Sequence, residues 1–165
     1  MNGATCGTWY AGAVVAPDAV VLVNDGVAAA VGDTARDFAP ALQALQRAFP
    51  ASKVVLARSV QEQTCHARPN DVPLLYEALA TLEQAGEKNI LVQPISTNDQ
   101  EAPLLVGRTV ACWRARGVFR RLTLAQPLTV GATSNPTASP RNSNTIVEQA
   151  ELAWWGKNPQ VRPVR

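Results

Sequence analysis

The chain has 165 residues, a formal net charge of +2, 47% apolar residues and 17% charged residues. That length suits one domain with a sizeable core and is too short for two ordinary ones. Near-neutral charge without a dense Lys/Arg cluster excludes a nucleic-acid footprint, and no unbroken run of roughly 18 apolar residues exists to span a membrane.

The three cysteines, Cys6, Cys65 and Cys112, show no CxxC or paired spacing. They argue against a disulfide framework or structural zinc site and fit a reducing cytoplasm. Residues 1–18 read as a lead-in rich in small residues. Asp18 interrupts its apolar stretch and no basic region precedes it, so no secretory signal is expected.

Ala19–Val23 (AVVLV) is a continuous β-branched run, as expected of a central strand covered on both faces. Asn24-Asp25-Gly26 ends it. Phe38, Leu42, Leu45 and Phe49 share one helical face over 33–49. Asp37, or else Asp33, is the expected cap, with Pro40 tolerated in the first turn and Pro50 ending the helix. Lys53–Val60 is a second strand. A loop with Cys65 and His66 leads to Asp71, the expected cap of a helix starting near Pro73. Leu74, Leu75, Ala78, Leu79 and Leu82 form its buried stripe, and Gly86 is its C′ residue. Asn89–Ile95 is a third strand with Pro94 at its edge. A helix over Glu101–Gly117 and a fourth strand over Arg121–Leu128 follow. Thr129–Asn144 reads as a loop, Thr145–Trp155 as a short helix, and 156–165 as an extended tail.

Strands alternating with helices predict an α/β domain over 19–155. Its sheet is mainly parallel, of about four or five strands flanked by helices. Ligands of such sheets sit beyond the carboxyl ends of the strands. That directs attention to Asn24–Gly26, Ser59–His66, Pro94–Glu101 and Pro127–Asn135.

His66 is the only histidine. With Cys65 and a carboxylate from elsewhere it could ligate a metal, although a lone loop histidine is more often a surface residue. Cys112 reads as a small buried hydrophobe. Asn24-Asp25-Gly26 reads first as a strand-ending turn. Arg114, Arg116, Arg120 and Arg121 fit cations near a helix C-terminus better than an anion site. Trp113 could stack on a flat ligand, and Trp154-Trp155 suit an interface. No GxGxxG or Walker-type loop follows the first strand, so a nucleotide cofactor has no support.

Three stretches resemble the class II tetrapyrrole chelatases, in particular the anaerobic cobalt chelatases of sirohydrochlorin. They are LQRAFPASKVVLARS (45–59), DVPLLYEALATLEQAGEKNILVQPI (71–95) and FRRLTLAQPL (119–128), within a span covering about two thirds of the chain. The resemblance implies two similar α/β halves around a tetrapyrrole cleft. One chain supplies one half, so a homodimer would rebuild the cleft. It also implies that no cofactor such as ATP is required, and that a divalent metal (cobalt, nickel or iron) is a substrate. Asn24, Asp25, Ser96 and Thr97 fall where the family lines the macrocycle.

The family places a metal-binding His after its Gln-Pro-hydrophobic sequence. Here Gln93-Pro94-Ile95 is followed by Ser96, a poor ligand for cobalt or iron and a poor base near neutral pH. Glu101 falls where the family often has a carboxylate, so Glu101, with His66 assisting, is the expected proton acceptor and metal ligand. Two functions follow as expectations: metal insertion into a sirohydrochlorin-type macrocycle, or a binding or assembly protein that keeps the fold without metallation. A flavodoxin-like or Rossmann-like domain that binds no tetrapyrrole is the third.

Overall fold

The computed structural model describes residues 15–24, 38–59, 72–97, 102–130 and 143–156. Among these residues are five strands, β1 Ala19–Asn24, β2 Lys53–Arg58, β3 Asn89–Thr97, β4 Arg121–Leu124 and β5 Leu128–Val130, and four helices, α1 Ala39–Ala48, α2 Leu75–Gln84, α3 Ala102–Arg116 and α4 Ser143–Trp155. The sheet order is β2-β1-β3-β4, with β5 also on β3, and every pairing is parallel. The expected α/β architecture with a parallel sheet is therefore what the chain forms.

The continuous apolar run of β1 has a direct cause. All six of its residues are buried, because helices cover both faces of the sheet. Val21 and Val23 pack with Leu75, Leu79 and Leu82 of α2 and Val106, Val110 and Trp113 of α3. Val20 and Leu22 pack on the other face with Leu45 of α1 and Ile146, Ala150 and Trp154 of α4. At about 25 cal/mol per Å² of apolar surface removed from water, these two layers are the main source of stability.

From β1 the chain moves through α1 to β2, then returns through α2 to β3 and onward through α3 to β4. Right-handed crossovers taken in opposite directions put α1 on one face and α2 with α3 on the other. The direction reverses between β1 and β3.

The expected fourth strand is broken. Val92 pairs with Leu124, but Ile95 pairs with Leu128. Two residues of β3 thus face three of the edge strand, as in a bulge. Pro94 explains the position. The carbonyls of Lys88 and Val92 accept from Arg121 and Ala125. By the alternation of a strand, the nitrogen of Pro94 points at the same neighbour and has no hydrogen to give. Gln93 fills the gap: its side-chain amide donates to the carbonyls of Pro94 (3.0 Å) and Gln126 (3.1 Å). Pro94 therefore lies within β3, which runs on to Thr97, and not at its edge as expected.

The helix starts also differ from expectation. The N-cap positions are Phe38 and Leu74, and neither makes a side-chain cap bond. Glu77 instead reaches back to the Leu74 N–H at 3.1 Å. The expected caps Asp33, Asp37 and Asp71 lie outside the described residues. Gly86 does end α2 with φ at +81°, a conformation other residues adopt at a cost.

Cys112 is exposed on α3 and is not the buried hydrophobe expected. Trp113, Trp154 and Trp155 are buried in the protein's own core, which removes them as ligand platforms or interface residues. Their partners are Tyr76, Phe119, the Arg116 guanidinium, Phe49 and the Arg121 guanidinium. The indole N–H of Trp154 donates to the Val15 carbonyl, so the end of the expected lead-in is packed against α4.

Candidate functional site

Parallel pairing brings the carboxyl ends of all strands to one edge of the sheet. Asn24 ends β1, Arg58 and Ser59 end β2, Thr97 ends β3 and Val130 ends β5. The order reverses between β1 and β3, so the helices that follow these two neighbours lie on opposite faces. In sheets of this kind the crevice for a ligand lies at that reversal. Asn24 sits there, buried, in register with Ile95 on one side and Arg58 on the other. Ser96 and Thr97 follow Ile95 on β3 and pair with Thr129 and Val130 of β5. Three of the expected site residues, Asn24, Ser96 and Thr97, thus share one edge. Asp25, His66 and Glu101 lie outside the described residues.

Two further residues complete the edge beside β1. The Ser59 N–H donates to the Asn24 carbonyl at 3.1 Å. The Arg58 N–H donates to the Pro73 carbonyl and its side-chain Nε–H to the Val72 carbonyl, both at 2.9 Å. Segment 72–74 therefore extends the sheet past β2 by one parallel bridge, Arg58 to Leu74. This anchoring holds the Arg58 stem half-buried at the end of its strand. The ion pairs among the described residues, Lys53–Glu87 and Arg116–Glu83, do not involve it.

Among the described residues, two buried side-chain atoms lack a hydrogen-bond partner, the Ser59 hydroxyl and Oε1 of Gln93. Both belong to the carboxyl half of the sheet. An orphaned buried polar atom costs about 1–3 kcal/mol. Gln93 sits two residues before the level of Asn24 in register, opposite Leu22, and is fully buried.

Ser59 opens the segment Ser59–His66 singled out from sequence, whereas Arg58 and Gln93 were not among the residues expected. The signals were there: an arginine closing a buried strand, and a glutamine inside the apolar run NILVQPI. Neither can be weighted without knowing the neighbouring strand.

Among the described residues no three His, Cys, Asp or Glu side chains gather as a metal-holding cluster. None of the described helices is long and apolar enough to cross a membrane. Arg121, expected only as a cation near a helix end, is tied elsewhere. Its guanidinium stacks 3.7 Å from the Trp154 ring centre and donates to the Trp154 carbonyl, and burial lowers its pKa. No protein-family model matches the sequence, and no curated protein matches it.

Proposed function

We propose that the carboxyl edge of the sheet binds a tetrapyrrole of the sirohydrochlorin type, in a chelatase-like domain of which a second copy supplies the facing half. The observation that carries this reading is the reversal of strand order between β1 and β3, with Asn24 and the Gln93-Pro94-Ile95-Ser96 strand end meeting there. The resemblance of 45–59, 71–95 and 119–128 to the class II chelatases supplies the ligand class.

In the catalytic form of the proposal, Glu101 takes the pyrrole protons, His66 assists, and a divalent metal (cobalt, nickel or iron) enters as substrate. Catalysis then comes from holding the macrocycle beside the metal and removing protons. Ser96 favours the second form, binding without metallation, because a neutral hydroxyl neither holds cobalt well nor accepts a proton near neutral pH.

An optical titration with sirohydrochlorin, with and without cobalt(II), separates the forms. Spectral change on binding without metallation supports the second. Metallation that is lost in Glu101→Gln supports the first. Absence of any spectral change with the macrocycle sinks both. Under the second form, Ser96→His is expected to introduce cobalt binding at the strand end.

A further inference from the structure

We infer that Arg58, with the Ser59 hydroxyl, forms a carboxylate-recognising corner of the site, which holds a peripheral acid group of the ligand. The inference rests on the reading that a ligand lies across the carboxyl edge. Three observations support it. Arg58 is in register with Asn24, one strand away from the reversal point. Its Nε–H and its backbone N–H are both tied to segment 72–73, which fixes the stem. No carboxylate among the described residues pairs with it. With Nε–H engaged, recognition falls to the end-on pair of Nη groups, a fork that matches the two oxygens of a carboxylate. The next residue, Ser59, carries a buried hydroxyl without a partner, and the proposal assigns it as a third donor.

The reach is suitable. Neighbouring strands lie about 4.8 Å apart, so β2 stands roughly 10 Å from β3. A flat macrocycle centred near β1 and β3 carries its acid side chains at its rim, over β2. A guanidinium there would orient the ring by binding its edge, leaving the centre to the β3 strand end. Lysine at this position would keep the charge without the fork.

The test uses the full chain with Arg58→Gln and Arg58→Lys, each checked for fold by circular dichroism. Sirohydrochlorin, whose acetate and propionate groups are ionised at neutral pH, is the first probe. Arg58→Gln should weaken binding about tenfold or more, Arg58→Lys less, and the difference should shrink as salt is added. Equal affinity of the wild type and Arg58→Gln overturns the inference. If the wild type does not bind the macrocycle, the tetrapyrrole reading falls, and Arg58 is judged separately with citrate. Nitrogen-15 spectra of the wild type should then show citrate-dependent shifts of the Arg58 Nε–H and Ser59 amide signals. No shift, or a shift given equally by inorganic phosphate, overturns the carboxylate assignment.

Discussion

The two edges of the sheet treat their polar groups in opposite ways. At the amino edge they are consumed by the fold. Oδ2 of Asp18 accepts from the Lys88 N–H (2.8 Å), the Asn89 N–H (2.8 Å) and the Asn89 side-chain amide (3.2 Å). The Ser52 hydroxyl donates to the Pro17 carbonyl, and the Gln46 amide to the carbonyls of Phe49 and Ser52. These bonds bind the entries of β1, β2 and β3 together. At the carboxyl edge, the Ser59 hydroxyl is buried with no partner, and Arg58 holds a charge without a described carboxylate. Polar groups are thus engaged in the fold at the amino edge, whereas the proposed binding site would draw on groups left without a described partner at the carboxyl edge.

That division can be broken by mutation. The largest effect is expected from Asp18→Ala, which strands two backbone donors and the Asn89 amide. A loss of about 2–3 kcal/mol in urea denaturation is predicted, with ligand affinity of the folded protein unchanged. Ser52→Ala should cost about 1–2 kcal/mol by the same measurement, because a buried bond between two chain segments is lost.

Gln93→Met should cost about 1 kcal/mol, since the Pro94 and Gln126 carbonyls lose their donor while one orphaned acceptor disappears. Its effect should be local: hydrogen exchange at the β5 amides speeds up while β1 is unaffected. Ser59→Ala is the smallest, neutral to slightly stabilising by a few tenths of a kcal/mol, because a hydroxyl without a partner is removed. A large loss of stability in Ser59→Ala would show that this side chain serves the fold, and the contrast between the edges would fail.

The comparison also separates what local pattern can reveal from what it cannot. The run AVVLV, the stripe of Leu75, Ala78, Leu79 and Leu82, and Gly86 after α2 were legible because each rests on a period or a backbone preference within a few residues. Pro94 misled because its effect depends on which neighbour its nitrogen faces. From sequence it marks a strand end, yet β3 continues past it while the adjacent edge strand bulges. Trp154 and Trp155 misled for a similar reason. An exposed pair at a helix end reads as an interface until a partner such as Phe49, just after α1, is known to cover it.

Sequence by itself determined the alternation of strands and helices and their parallel arrangement. Those follow from short-range periodicity and the handedness of crossovers. Only the tertiary structure decided that Arg58, Asn24 and Ile95 stand side by side on β2, β1 and β3. It alone decided that Gln93 bridges an interrupted strand, and that Ser59 keeps a buried hydroxyl without a partner. The physical reason is that register between strands distant in sequence is set by packing of both faces at once, and no local stretch of chain carries that information.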